Sequence, residues 1–312
     1  MPIDILVMKK ILIIASVLVA ALVANSCMRE DIQKEVSVNL SLALPEIVQT
    51  KAMSKAELTD IVYYEIWNSD WTRKLYPSTM TTASLSVTDR KATLDLTLVS
   101  SQTYNFIFWA QNESCSAYDV TDLKKVKVNY AVIGAEGNQD KFDAFYAVKK
   151  LVVTGPINET IYLTRPFAQL NFGANTMQTI LGDVTVGAST VTISRIANVF
   201  NTINGLGEGV AEDVEFKATG LATDEELVVN GVSYTWVTMD YMLMTLDSDN
   251  VEVDAVFDLG MNAPVVHKVG NVPLKKNYRT NIVGDLFTSD AKLEIIVVPD
   301  FNDPDEVVTI NQ

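Results

Sequence analysis

Histidine and cysteine are scarce in this chain of 312 residues: it has one histidine, His267, and two cysteines, Cys27 and Cys115. A single histidine excludes metal sites built from several histidines, and it makes a Ser-His-Asp triad depend on His267 alone. His267 lies in the run VVHKV, which is typical of a strand. The chain also lacks a Gly-x-Ser-x-Gly motif and a phosphate-binding loop. We therefore predict that the protein is not an enzyme and has no catalytic residues, cofactor or metal.

Basic residues are also fewer than acidic ones. The chain has 24 Lys and Arg against 39 Asp and Glu, and its net charge is −15. This charge argues against nucleic acid or an anionic membrane surface as the partner, because both attract basic proteins. Acidic stretches at residues 247–250 and 300–305 offer oxygen atoms to calcium, but neither has the glycine and final glutamate of a calcium loop. Solvated turns are the simpler interpretation of both.

Long apolar runs are limited to one, ILIIASVLVAALVA at residues 11–24. Its 14 residues are too few to span a bilayer, which needs roughly 20. Lys9 and Lys10 precede the run and Asn25-Ser26-Cys27 follow it, the order of a secretory signal peptide over residues 1–26. A cysteine at the cleavage point predicts a lipoprotein that is acylated on Cys27, and the pattern resembles the loose lipobox of Bacteroidetes. Ordinary secretion with a free Cys27 and an uncleaved anchor are the alternatives.

Residues 27–34 are then expected to form a lipidated tether, whose acidic residues Glu30 and Asp31 resemble a signal for export to the outer face of the outer membrane. The alternative is a solvated, charged tether of the kind that any lipoprotein can carry. Cys115 is the one remaining cysteine, so no disulfide framework is expected. It lies in a polar, turn-like stretch far from His267 in the sequence. An unreactive thiol is therefore a better interpretation than a nucleophile.

Most of the chain after the tether has the patterns of β-strands. Apolar residues alternate with small or polar ones at residues 36–44, and the segment ends at Pro45. Further strands are predicted at residues 61–67, 93–98, 104–109, 145–153, 167–172, 183–193, 234–245, 251–257, 265–272, 278–286 and 293–298. Helices are expected only at 175–181 and, more weakly, 54–59. Many short strands separated by turns predict a mainly β protein made of β-sandwiches.

The turn-rich stretch at residues 154–165 is the best candidate for a domain boundary. It divides the chain into an N-terminal β-sandwich over residues 35–164 and a C-terminal β-sandwich over 165–312, each of ordinary domain size. Among the tryptophans, Trp67, Trp109 and Trp236 lie in predicted strands and are expected in the core. Trp71 follows a turn and is the candidate for an exposed aromatic residue.

Four segments together resemble the Bacteroidales fimbrillin superfamily, the subunits and anchors of type V pili. They are the lipoprotein signal with the strand at 36–45, the stretch TKA at 50–52 followed by a strand, LTRPFAQLNF at 163–172 and VPLKKNYRTNIVG at 272–284. The resemblance implies two tandem transthyretin-like (Greek-key) β-sandwich domains. It also implies a non-enzymatic fimbrial subunit or anchor, located in the fimbrium or on the outer membrane, that acts in pilus assembly and adhesion by β-strand exchange.

The resemblance assigns roles to specific residues. In polymerising relatives a protease cuts after an arginine downstream of the first strand, and the C-terminal strand of a neighbouring subunit fills the groove that the lost strand leaves. Here the processing position carries Lys51, which favours a lysine-cutting protease or a subunit that keeps its strand and lipid, as anchors do. The residues expected to take part in strand exchange are Val36, Val38, Leu40, Leu42 and Leu44 in the first strand and Val307, Val308 and Ile310 in the tail. The alternative for the tail is a last edge strand of the second domain or a frayed end.

The expected partners are outer-membrane lipid, through acylated Cys27, other fimbrial subunits, and host or bacterial surface ligands. An alternative function is a surface lipoprotein of the same fold that binds glycans or proteins and does not polymerise. In that case Trp71 is the candidate sugar-binding residue. A hydrolase is the least favoured reading, because the catalytic motifs are missing.

Overall fold

The computed structural model describes residues 34–45, 56–78, 82–175, 186–211, 213–222, 226–260, 263–288, 291–298 and 308–310. These residues form a mainly β protein whose sheets build sandwich-like domains, as the sequence predicts. Within these ranges no helix has the length and apolar character needed to cross a membrane.

The first sheet has three strands, with the N-terminal strand in its centre. They are β1 (Glu35–Ala43), β5 (Lys91–Val99) and β10 (Ile157–Tyr162), in the order β10-β1-β5. Strand β1 runs antiparallel to β5 and parallel to β10.

A second sheet packs on the first and has a core on each of its faces. Its strands are β2 (Ile61–Asn68), β3 (Lys74–Tyr76), β4 (Ala83–Ser86), β6 (Gln102–Gln111) and β9 (Phe145–Val153), in the order β3-β2-β6-β9 with β4 on β2. Successive side chains of a strand point to opposite faces. Phe106 and Phe108 accordingly belong to a smaller core shared with β1, whereas Ile107 and Trp109 belong to a larger core.

A small sheet and a short helix lie within the larger core. The sheet has the order β14-β13-β8-β7, with β7 (Tyr118–Asp119), β8 (Lys125–Val128), β13 (Val199–Asn201) and β14 (Leu206–Glu208). Helix α1 (Tyr130–Ala135) begins after Asn129, whose side chain accepts a hydrogen bond from the Ala131 N–H as an N-cap does. A 3₁₀ turn follows at Asp140–Phe142.

Two further sheets face each other in the C-terminal half. One has the order β16-β17-β11-β20-β21-β22, and the other has the order β15-β12-β18-β19. The rings of Phe172 on β11 and Phe257 on β18 meet edge-on between the two sheets, with centroids 5.7 Å apart. The strands are β11 (Ala168–Asn175), β12 (Ala188–Ile193), β15 (Val214–Thr219), β16 (Glu226–Val229), β17 (Val232–Met242), β18 (Ser248–Asp258), β19 (Val265–Lys275), β20 (Arg279–Gly284), β21 (Leu293–Val298) and β22 (Val308–Ile310).

The two cores overlap along the chain. The described residues of the smaller core lie between Val36 and Leu163, whereas those of the larger core extend from Ile107 to Val298. Residues 107–144 therefore contribute to a core that is completed by the C-terminal half. The boundary at residues 164 and 165 stays a prediction.

The predicted elements agree with the observed strands except in a few places. Residues 56–59, from the weaker helix prediction, form a turn, so that prediction is wrong over these residues. Asn175 ends β11, and residues 176–181 of the other predicted helix lie outside the described ranges. The strand predicted at 183–193 is β12 at Ala188–Ile193, and residues 186 and 187 precede it. The short helix α1 was not predicted, and neither were nine strands: β3, β4, β7, β8, β10, β13, β14, β15 and β16.

Candidate functional site

The apolar face of β1 is the first part of the candidate site. Val36, Val38, Leu40 and Leu42 alternate along the strand, and all four are buried in the smaller core. Leu40 has no exposed surface, and Leu44, just beyond the strand, is buried as well. The alternation therefore places these side chains on the core side, as predicted. Each fully buried apolar side chain of this size stabilises the fold by about 1.5–3 kcal/mol.

Both backbone edges of β1 are paired. The antiparallel register with β5 runs from Glu35 opposite Val99 to Ala43 opposite Lys91. The parallel register with β10 begins with Val38 opposite Ile157 and ends with Ala43 opposite Tyr162. Loss of β1 would leave two parallel rows of unpaired backbone groups with an apolar slot between them. Such a slot is what an added strand from another chain fills.

The C-terminal end of β1 is held by backbone contacts and opens on a cleft. The Leu44 N–H donates to the Arg90 carbonyl (3.0 Å), and the Leu163 N–H donates to the Ala43 carbonyl (2.9 Å). The Arg90 guanidinium donates to the Pro45 carbonyl (3.1 Å). These residues border a cleft of about 420 Å³, which Tyr162 and Asn277 also line. The chain leaves β1 at this cleft.

The other strand-exchange residues lie at the far end of the chain. Val308 and Ile310 belong to β22, whose backbone pairs with Val297 and Ile295 of β21 at the edge of its sheet. Val307, Lys51 and Cys27 lie outside the described residues. Their assignments as donor, processing and lipid sites stay predictions.

Trp71 is not the exposed aromatic residue that was predicted. It is half-buried against the larger core and has a φ of 64°. The Lys124 ammonium donates to the Trp71 carbonyl (3.3 Å) and lies 3.6 Å from the centroid of the Trp67 ring. The positive φ and the core contact explain the error, because a turn position alone does not show which way the side chain points.

Three titratable side chains that the structure buries are His267, Cys115 and Asp240. His267 lies in β19, in a strand as predicted; it is buried, and its Nε2 lies 2.8 Å from the Leu286 carbonyl. Burial raises the pKa of the Cys115 thiol. Burial also raises the pKa of Asp240 on β17 to about 8.

Of the two acidic stretches, residues 247–250 and 300–305, the first lies within the described part of the chain. Asp247 pairs with Lys276 at 3.0 Å, and Ser248–Asp258 form β18. Residues 299–307, which include the second stretch, lie outside the described part. Across the residues that the structure does describe, no three side chains among His, Cys, Asp and Glu come together as metal ligands would.

Strand β10 is the component of the site that sequence reasoning missed. Its segment INETIY was read as part of a turn because Gly155 and Pro156 precede it. The signal that was available is the spacing of Ile157 and Ile161, which both pack in the smaller core. The deciding factor is its parallel pairing with β1, more than a hundred residues earlier in the chain.

Comparison with known proteins supports the fold. A sequence model for a family of unknown function (DUF6562) matches residues 29–311. No curated protein matches the chain. Among solved structures, the chain is similar to a candidate cell adhesion protein from Bacteroides uniformis, with 12% identity, 87% of this chain and 100% of that chain covered, and a TM-score of 0.52.

Two other solved structures are also similar. A candidate adhesin from Bacteroides thetaiotaomicron has 10% identity, with 86% of this chain and 97% of that chain covered and a TM-score of 0.50. The fimbrial anchor protein Mfa2 from Porphyromonas gingivalis has 8% identity, with 88% and 99% covered and a TM-score of 0.44. The neighbours are Bacteroidales fimbrial and adhesin-like proteins, the group that the sequence motifs resemble. At these identities the similarity is one of fold.

Proposed function

Because the chain belongs to the family of unknown function DUF6562, its role has to be argued from its own residues, and we propose that it is a cell-surface lipoprotein of fimbriae. In this proposal it is a non-enzymatic fimbrial subunit or anchor that acts in pilus assembly and adhesion by β-strand exchange. The single observation that carries the proposal is the position of β1, which is the first strand of the described residues and lies in the centre of its sheet. The adhesion role given in the descriptions of the two Bacteroides structures agrees with it.

The pairing of β1 is suited to exchange. A terminal strand can leave after a single cut in the chain, and the rest of the sheet keeps its connections. Its departure would free nine paired positions on β5 and six on β10. An incoming strand with alternating apolar residues would restore the backbone hydrogen bonds and refill the places of Val38, Leu40 and Leu42.

The tail is the proposed donor. Strand β22 has three residues and lies at the edge of the six-stranded sheet, where β21 is its one partner among the described strands. Few backbone hydrogen bonds hold such a strand, so it can detach at low cost compared with β1. Val307, Val308 and Ile310 would supply the apolar side chains for the groove of a neighbouring subunit.

The proposed function takes one of two forms, depending on whether a protease cuts the chain after Lys51. If a protease cuts after Lys51, β1 leaves and the protein is a polymerising subunit. If no cut occurs, β1 and the lipid on Cys27 stay attached and the protein is an anchor in the outer membrane. The mass of the native mature protein distinguishes the two forms. A chain acylated on Cys27 includes residues 27–51, whereas a chain that begins at Ala52 lacks them.

The strand-exchange step can be tested with a specific protease site inserted within residues 46–55 of the Cys27→Ala protein. After the cut and removal of the β1 fragment, we expect a synthetic peptide of residues 303–312 to bind, and the protein to form oligomers in size-exclusion chromatography. The uncut protein should bind far less peptide. A peptide carrying Val308→Asp and Ile310→Asp is the matched control and should not bind, because a carboxylate in the apolar slot is costly.

Two results would contradict the proposal. One is a cut protein that stays monomeric and ignores the peptide once the fragment is removed. The other is equal binding of the normal and the Asp-substituted peptides. Lipidation is tested separately by metabolic labelling with a fatty acid, and label that persists in Cys27→Ala would exclude that site.

A further inference from the structure

Tyr162 has an unusual position at the end of β10. It is 74% exposed, more than any other large apolar side chain in the described part of the chain. It lines a cleft of about 330 Å³ together with Ile203, which is 43% exposed. Single exposed apolar residues are common on protein surfaces, but two that line the same cleft make that cleft a candidate binding site.

The floor of the cleft depends on a glycine. Gly205 has a φ of +71°, and a Cβ at this position would lie 2.9 Å from the Tyr146 hydroxyl. The Lys276 ammonium donates to the Gly205 carbonyl (2.8 Å). The ring of Tyr146 packs edge-on against Phe200, with centroids 4.6 Å apart. Glycine therefore keeps the cleft open where any other residue would both fill it and strain the backbone.

The loop that forms one wall is fixed by its own hydrogen bonds. The Gly205 N–H donates to the Asn201 carbonyl (2.9 Å), and the Ile203 N–H donates to the Asn201 side-chain oxygen (3.1 Å). The Leu206 N–H donates to Asn204 Oδ1 (2.9 Å). A wall that is already ordered loses little entropy when a ligand binds.

The charge of the cleft limits the class of ligand. Lys276 is the one charged side chain among the described residues that line it, and its ammonium is paired with Asp247 at 3.0 Å. A phosphate or carboxylate ligand would find no unpaired cation here. The size is at the lower end of small-molecule sites and far below a standard protein interface.

We propose that this cleft binds a neutral saccharide. The ring of Tyr162 and the side chain of Ile203 offer apolar surface to the C–H face of a sugar ring. The Asn204 amide, the Tyr146 hydroxyl and the Lys276 ammonium offer hydrogen bonds to its hydroxyl groups. Tyr162 lies opposite Ala43 of β1, so the cleft belongs to the chain that keeps β1, and the test uses that uncut chain.

The test uses the full chain with Cys27→Ala and a glycan array of neutral and acidic oligosaccharides, followed by calorimetry with the neutral oligosaccharide that binds best. We expect wild-type binding to neutral glycans and a loss of about tenfold or more in affinity for Tyr162→Ala, the size of a lost aromatic contact and its packing. Tyr162→Phe, which keeps the ring, should bind within about threefold of wild type, a difference below 1 kcal/mol. Val152→Ser changes another exposed residue, 60% accessible on β9, and should bind normally.

Three outcomes would overturn the proposal: no neutral glycan bound, binding confined to acidic glycans, or a Tyr162→Ala protein that binds like wild type. Because Tyr162 is exposed, its substitution should leave the thermal unfolding midpoint unchanged, and loss of binding can then be assigned to the cleft. Gly205→Ala gives a second measurement, with loss of binding expected if the circular dichroism spectrum stays that of wild type. Failure of the peptide assay for strand exchange would leave these results intact.

Discussion

Arg165 and Asp143 form a bidentate ion pair in the interior. Arg165 donates from Nε to Asp143 Oδ1 and from Nη2 to Asp143 Oδ2, both at 2.8 Å. The two side chains are only 3% and 2% exposed, and the guanidinium lies 4.6 Å from the centroid of the Phe145 ring. The pair therefore joins the segment just before β9 to the segment just before β11.

Substitution of Arg165 should be strongly destabilising. Arg165→Met leaves a buried carboxylate without its cation, and the free energy of unfolding should fall by about 3–5 kcal/mol. Urea unfolding followed by circular dichroism measures it. Lys268→Met is the matched control, because the pair of Lys268 with Asp254 is 76% and 48% exposed and should contribute less than about 1 kcal/mol. Equal losses in the two variants would contradict the role of the buried pair.

Asp240 should make stability depend on pH. Its pKa is raised by burial from 3.8 to about 8, so the folded state keeps a proton that the unfolded chain releases. The contribution of this group to stability therefore falls as the pH rises from about 4 to about 8 and then levels off. Asp240→Asn cannot ionise and should raise the free energy of unfolding at pH 8.5 by more than about 1 kcal/mol.

The measurement for Asp240 is urea unfolding at pH 5 and pH 8.5. The gain from Asp240→Asn should be larger at pH 8.5. Asp254→Asn, which removes an exposed carboxylate, should show no such difference. A gain that is the same at both pH values would show that the carboxyl does not titrate in this window.

Gly134 should be required for the contact between α1 and β15. A Cβ on Gly134 would lie 2.1 Å from the Glu215 carbonyl oxygen, so Gly134→Ala must push the helix away from the strand. We expect a loss of about 1–3 kcal/mol, as for overpacking. Gly155→Ala is the control, since nothing lies within 4 Å of its Cβ and its effect should be neutral or slightly stabilising. Thermal unfolding compares the two, and matching midpoints would contradict the prediction.

Cys115 should be unreactive in the folded protein. It is 6% exposed, and burial raises the pKa of its thiol, so little thiolate is available. In the Cys27→Ala protein, Ellman's reagent at pH 8 should label Cys115 only after guanidinium is added. A Cys115→Ser protein that also carries Ser116→Cys places the thiol at an exposed neighbouring position and should react at once. Fast labelling of native Cys115 would show that its site opens.

The sequence predicts the strands whose burial follows strict alternation. The segment at 36–44 and the all-buried segment at 104–109 are β1 and the centre of β6, because one or both faces meet a core over their whole length. Strand β10 could not be assigned in this way, since it is specified by pairing with β1 rather than by its own composition. Helix α1 contains Val132, Ile133 and Gly134, which favour other structures, and depends on the Asn129 cap and on packing against β15.

The candidate sites also differ in whether the sequence pattern predicts the environment of their residues. The apolar face of β1 could be predicted because its period of two shows which side chains share a face. Tyr162 could not, because its exposure depends on where β10 ends relative to the loop that carries Ile203. Trp71 was predicted in the wrong environment for the related reason that its φ of 64° is not visible in the sequence.

The unequal extent of the two cores sets an order of assembly during synthesis. Among the described residues the smaller core includes none beyond Leu163, so it can close before the C-terminal half is made. Trp109 and Tyr118 emerge early as well, but Phe167, which packs against both rings, comes later, as does Tyr241, which packs against Phe167. A nascent chain that stops near residue 164 would thus have one finished core and an uncovered aromatic cluster, a state that proteases and chaperones can distinguish from the complete protein.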